Sequence, residues 1–426
     1  MGMESSTILG VGLTGAAFLL VSLAYVSGAI PMHALLYSAV WTLCLCLSHA
    51  ALDGSMQPMP ATTLILVAAW WAFLLGSIIP FLGRRARYYK RAMEIGRVHG
   101  LMVLYFLLSL QWAGVIYELS HLQGVAWSSG PTTIIANLAR MRVTGETAEI
   151  QLPPFLGSFR WSHVIYIPLS LILRTRRLIS RRHLLVIFAL AGISALLHFT
   201  RAPVVQLSIV TLVAWLVLYR PTPKIVGITC VSIGGALLVT FVLSQIVIDR
   251  QSNTTASLDQ SLAAYFGMSP LGYEEILSGR YQQETGIYSL DWLYFPLSKL
   301  GLVDSYPGLT RPYVYYPVVT NVYTYLDAFT LDGGVLGAIS GACLAGFGCS
   351  CIYKSNRRQS TLYTLSFYSY LCYCCLMTPI NNEFIRANTW IIMGVAWLAT
   401  RFIRKHSMRR VRRRIQATGA FHTAHS

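Results

Sequence analysis

The sequence predicts an all-α polytopic integral membrane protein with about eleven transmembrane helices and one large external loop. Three observations lead there. Of the 426 residues, 55% are hydrophobic and only 12% charged, against about 25% charged in a soluble domain. Mean hydropathy is +0.55. Apolar runs of roughly 20 residues recur along the chain, each able to cross a hydrocarbon core of about 30 Å.

In chain order the spans read as 7–30, 33–51, 61–82, 100–118, 159–174, 184–199, 202–219, 225–248, 333–353, 361–380 and 388–404. The span over 159–174 is short, so Arg160 and His163 near its outer end are expected to reach the interface by snorkelling. His49 and His198 fall near helix ends and read as interfacial. The whole of 1–426 reads as a single transmembrane domain. It carries a first external loop at 120–158, a large one at 249–332 and a basic tail at 405–426.

Charge sets the orientation. Clusters around Arg84–Arg97, Arg174–Arg182, Arg220–Lys224 and Lys354–Arg358, with Arg401, Arg404 and the tail, place 24 of 33 Lys and Arg on one side. Only one of the sixteen acids, Glu94, lies with them. Basic residues mark the cytoplasmic side, so the N-terminus is expected outside and the C-terminus inside. The net charge of +17 is thereby divided among short loops. A nucleic-acid partner is not expected, because phosphate binding needs one continuous exposed patch.

The nine cysteines lie in or beside apolar runs, and the long polar loops hold none. Disulfide frameworks and zinc sites are therefore not expected, and Cys349, Cys351, Cys374 and Cys375 read as small packing residues. No basic stretch precedes the first apolar run, as it would in a cleaved signal peptide.

Chemistry is expected in the loops. The spans carry almost no ionisable side chains in their middles, where pumps and ion-coupled transporters place theirs. No HExxH, P-loop or GxSxG motif occurs. Long polar loops are usually functional. Within the larger one, Tyr288–Gly301 mixes Trp, Tyr, Phe and Leu with Asp291 and Lys299, as interfacial segments do.

Four external arginines suit bidentate binding of phosphate oxygens: Arg201 in HFTRAP, Arg280, Arg311 before PYVYYP, and Arg386 in NNEFIR. Membrane anchoring or local ion pairing is the plainer reading of each alone. The segment TNVYTYLDAFTLDGG, from Thr320, has the aromatic, amide and hydroxyl content of a sugar site, through Asn321, Tyr323, Thr324 and Tyr325. An aromatic belt would look similar. Asp332 also reads as the N-cap of the ninth span, and Gly333, Gly337 and Gly341 as a face for a neighbouring helix.

The run TNVYTYLDAFTLDGGVLGAISGACLAGFG resembles the signature of oligosaccharide repeat unit polymerases, the Wzy-type O-antigen and capsular polysaccharide polymerases. Asn321, Tyr323, Thr324 and Tyr325 fit its Asn-x-Tyr-Thr element and the Tyr-x-Asp-like stretch that follows. Asp332, Gly333, Gly334 and Gly337 match its Asp-Phe-Gly-x-x-Gly part, with Gly333 standing in place of the phenylalanine. HFTRAP and ARMRVTGE are also similar to family features.

The resemblance implies a GT-C-like fold in the bacterial inner membrane, with both long loops periplasmic. It implies glycosyl transfer without a metal or other cofactor, with undecaprenyl-diphosphate-linked oligosaccharide as both donor and acceptor. A chain-length regulator protein is a further implied partner. Arg201, Arg280, Arg311 and Arg386 would then hold diphosphate. Glu383, Asp332 and Asp327 would be the alternatives for the catalytic base. An O-antigen ligase shares this layout, but its relatives use a histidine in the large loop, and 249–332 contains none. A lipid-linked oligosaccharide flippase would need charged groups that the spans do not supply.

Overall fold

The computed structural model describes residues 31–50, 58–82, 95–126, 159–197, 201–220, 222, 224–225, 267–279, 287–303, 314–315, 319–320 and 323–423. The expected spans 7–30 and 225–248 lie outside these, as does most of the loop 120–158. What is described is almost wholly helical, and four of its helices are long and apolar enough to cross a membrane. These are Pro60–Phe81, Arg97–Tyr117, Ala202–Tyr219 and Asp327–Arg358.

Where the sequence reading expects one domain, internal contacts gather into two compact units. The first comprises Met1–Tyr88, Thr254–Ser355 and Leu371–Trp390, and the second Tyr89–Asn253, Asn356–Tyr370 and Ile391–Ser426.

The second unit is built around a short helix. Helices α3 (Arg97–Ala126), α5 (Arg181–Leu197) and α6 (Arg201–Tyr219) pack on α4 (His163–Thr175). Every residue of α4 from His163 to Leu173 is buried. Helix α3 continues well beyond its expected end at 118, and no proline interrupts the sequence there. His163 does not snorkel: it is buried against Trp161, because the turn before α4 is tied inward by Ser162 Oγ donating to the Leu107 carbonyl at 3.1 Å. Gln111 Nε2 donates to Ser194 Oγ at 2.9 Å, joining α3 to α5.

The first unit contains α1 (Met32–Ala50), α2 (Pro60–Ile78), α7 (Ser269–Leu277) and α8 (Asp291–Lys299). It also holds β1 (Val314–Tyr315) and β2 (Val319–Thr320), a two-residue antiparallel ladder. Most of α9 (Asp327–Arg358), the end of α10 (Leu362–Met377) and the first turn of α11 (Ala387–Thr423) complete it. Helix α11 carries the basic tail as a helix as far as Thr423, and the three residues after it lie outside the described set.

Glycine decides how α2 and α9 meet. A Cβ on Gly76 would stand 2.1 Å from the Cys343 carbonyl oxygen, and one on Gly346 2.1 Å from that of Phe73. The two backbones therefore touch, as small residues allow in membrane helices. Ser350 Oγ donates to the Ser77 carbonyl at 2.7 Å in the same seam.

The other glycine stripe behaves differently from expectation. Gly337 and Gly341 lie against Phe329 of their own helix, whose carbonyl oxygen would lie 2.1 Å from a Cβ on Gly337. The chain reverses between these residues at Gly333–Gly334, where Gly334 takes φ 60° and ψ −151°, a conformation that disfavours any side chain. Residues 327–332 are thus a short helical turn folded back on the long helix.

Cys44, Cys349, Cys372, Cys374 and Cys375 are buried as free thiols, and Cys351 is half-buried. Cys349 and Cys375 pack with their sulfurs 4.0 Å apart.

Gly346→Ala should lower stability in detergent by about 1–3 kcal/mol through overpacking. Gly348→Ala, with open space around its Cβ, should be neutral or slightly stabilising, since alanine favours a helix. Thermal unfolding of both variants checks this; equal melting would remove the backbone-contact argument.

Candidate functional site

Tyr325 organises the site. Its backbone N–H donates to the Thr378 carbonyl at 2.8 Å, and its carbonyl accepts from Asn382 Nδ2 at 2.7 Å. Its hydroxyl lies 2.9 Å from that of Tyr37. Trp41 Nε1 donates to Thr378 Oγ1 at 3.0 Å, and Tyr37 stacks on Phe73 with ring centroids 3.8 Å apart. The ring of Tyr325 also meets Trp41, Phe329 and Phe384. Burial drives its hydroxyl well above the usual tyrosine range, so it stays neutral.

This placement differs from the sugar wall read from the sequence. Tyr325 is wholly buried and Tyr323 and Thr324 nearly so, because an aromatic with two backbone partners and a hydroxyl partner is most stable inside. Tyr325 offers no face to a ligand. Asn321 lies outside the described residues.

With 323–325 anchored, the turn 327–332 and the segment 381–386 come together. Tyr288, Ala328 and Ile385 form a buried cluster, with Phe329 and Leu331 packed against it. Three of the expected site residues, Asp327, Asp332 and Glu383, are thereby gathered with Arg386 in one compact unit.

The three acids have distinct surroundings. Asp332 accepts from the backbone N–H of Tyr288 at 2.8 Å and of Ser289 at 2.7 Å, one on each carboxylate oxygen. It therefore ties the large loop to α9. The expected cap at the start of the long helix is not its role, because the reversal at Gly333–Gly334 turns it toward the loop. Asp327 Oδ1 accepts the N–H of Ala328 at 2.6 Å.

Glu383 is buried, and its Oε1 accepts from Asn381 Nδ2 at 3.2 Å. Arg386 Nε lies 3.4 Å from the same oxygen, an ion pair without hydrogen-bond alignment. Glu383 Oε2 has no hydrogen-bond partner among the described residues. Thr389 Oγ1 donates to the Glu383 carbonyl at 2.8 Å and so holds the turn itself. A carboxylate with one oxygen anchored and the other open has the geometry of a proton acceptor.

Of the expected phosphate-binding arginines, Arg386 alone is described together with its side chain. Arg201 begins α6 in the second unit, and Arg280 and Arg311 lie outside the described residues.

Other residues shape the site without having been read as site residues in the sequence. Asp291 Oδ2 accepts the N–H of Ala387 at 3.3 Å at the start of α11. Glu274 Oε2 accepts from the Met59 N–H at 2.8 Å and from Thr62 Oγ1 at 3.3 Å, capping α2 from α7. Tyr273 OH lies 2.8 Å from Thr330 Oγ1, and burial pushes that phenol up to about 12, so it too is neutral at physiological pH. Cys44 Sγ lies 3.4 Å from Ser269 Oγ, so α7 dips to the level of α1. Asn381 and Asn382 were visible in NNEFIR, but the partners of Glu274, Tyr273 and Asp291 are so distant in sequence that no local pattern marks them.

No protein-family model, curated protein or solved structure matches the chain.

Asp332→Ala should cost about 1 kcal/mol or more by freeing two backbone donors, and should increase proteolysis of the large loop. Glu383→Gln keeps the shape and the amide contact, so its melting temperature should stay close to that of the unaltered protein. Thermal unfolding with limited proteolysis checks both; the reverse ranking would show that Glu383 is the structural acid.

Proposed function

We propose that this protein is an oligosaccharide repeat unit polymerase of the Wzy type. It would join undecaprenyl-diphosphate-linked oligosaccharides into O-antigen or capsular polysaccharide at the periplasmic face of the inner membrane. The reading includes eleven spans, a GT-C-type architecture, a periplasmic N-terminus and a cytoplasmic C-terminus. Its support is the motif resemblance together with one structural observation: Glu383, beside Arg386, has one carboxylate oxygen without a hydrogen-bond partner among the described residues, in the unit that also holds the motif's Tyr325 and Asp332.

In this reading Glu383 Oε2 takes the proton from the acceptor sugar hydroxyl. That oxygen bonds to the anomeric carbon of the donor, whose bond to undecaprenyl diphosphate breaks. Arg386, with Arg201, Arg280 and Arg311, stabilises the departing diphosphate, the charge-stabilising role that arginine fills well. Asp327 and Asp332, equal alternatives on sequence grounds, are ranked below Glu383 because their carboxylates bind backbone N–H groups. A ligase reading has no observation of its own here.

Purified protein given lipid-linked repeat units should produce a ladder of longer glycans. Glu383→Gln should slow elongation by about 10²–10⁴-fold, the usual contribution of a general base, with membrane insertion unchanged. Arg201→Ala and Arg311→Ala should each abolish the ladder. No elongation by unaltered protein that demonstrably binds substrate would sink the polymerase; full ladders from the variants would sink the residue roles.

A further inference from the structure

The loop helix α8 is pinned on one side and bare on the other. Asp291, at its first position, is buried and binds the Ala387 N–H that opens α11. The turn immediately before it is held by Asp332, three residues ahead of Val335 on the long arm of α9. Trp292 packs against Trp390 in the first turn of α11, with ring centroids 6.0 Å apart. These contacts place the start of α8 beside the starts of α11 and of the long arm of α9.

The opposite face is apolar and uncovered. Leu293 and Leu300 are seven residues apart, nearly eclipsed on a helix, with Trp292 adjoining them. Leu300, which caps the helix, is 71% exposed and Leu302, just beyond it, 66%. Trp390 and Leu336, at the starts of α11 and of the long arm of α9, are also exposed. Leu336 leads along α9 to Leu344 and Phe347, exposed on a helix able to cross the membrane. Through Trp390, which meets Trp292, the exposed face of α8 adjoins the start of α11, and through Asp332 its preceding turn adjoins the start of a helix able to cross the membrane.

We propose that α8 is an interfacial helix bedded in one leaflet of the bilayer, with Trp292, Leu293, Leu300 and Leu302 contacting phospholipid acyl chains. A nine-residue helix is about 14 Å long, too short to span and suited to lie in the plane of the interface. Tryptophan is the residue favoured at that depth, and apolar burial to about 5–10 Å is what such helices achieve. Water against so many clustered leucine and tryptophan side chains would be unfavourable, and a soluble protein rarely leaves such a patch bare. This inference is independent of the polymerase reading.

The test uses the full chain in phosphatidylcholine vesicles and reads the fluorescence difference between unaltered protein and Trp292→Phe. The Trp292 signal should fall at least twofold when the lipids are brominated near the top of the acyl chain, and should resist aqueous iodide. Quenching by iodide without quenching by brominated lipid places the helix in water and overturns the proposal. Resistance to both shows a protein cover and overturns it too. If Trp292→Phe fails to fold, Leu300→Trp supplies the same readout as a gained signal at an exposed position.

Discussion

The clamp on Tyr325 is the contact on which the first unit depends. One residue spends its N–H on the end of α10, its carbonyl on Asn382 and its hydroxyl on Tyr37 of α1. Each of these groups would be costly to bury without a partner. Together they draw sequence-distant segments to one point: α1, the entry to α9, the end of α10 and the turn leading to α11. The aromatic stack of Tyr37 on Phe73 extends the clamp to α2. Downstream of it, the chain direction at residues 327–332 is set, and with it the positions of Asp327 and Asp332.

Glycine supplies the second constraint. The same helix uses Gly346 to meet α2 at backbone distance and Gly337 and Gly341 to accept its own folded-back first turn. The reversal at Gly334 is what allows one carboxylate, Asp332, to reach the loop instead of the helix beneath it. The described acids of the unit are then mostly structural: Glu274, Asp291 and Asp332 each satisfy backbone N–H groups that helix ends or loop turns leave open. Glu383 stands apart because side chains, not backbone, hold one of its oxygens and nothing described holds the other.

The sequence located the helices of the described residues. Long apolar runs between polar loops are the direct signature of segments that must satisfy their own backbone hydrogen bonds in hydrocarbon, and α1 to α6 and α9 to α11 fall where those runs fall. It also marked NNEFIR and the Tyr-rich stretch as places to look. It could not say which tyrosine points inward, because a sugar-facing and a core-facing tyrosine look alike in composition. Nor could it separate the three acids, since a carboxylate bound to backbone N–H groups 43 and 44 residues away leaves no local trace.

Composition and periodicity by themselves determined a helical, membrane-associated chain, since hydrophobicity and helix length are local properties of the run. Tertiary structure decided the rest. It turned the glycine stripe inward on its own chain, took Tyr325 from a wall into the core, made Asp332 a tie, and left one oxygen of Glu383 without a partner among the described residues. All of these depend on which groups find each other across long sequence separations, and that is settled only when buried polar groups compete for the partners the fold brings near.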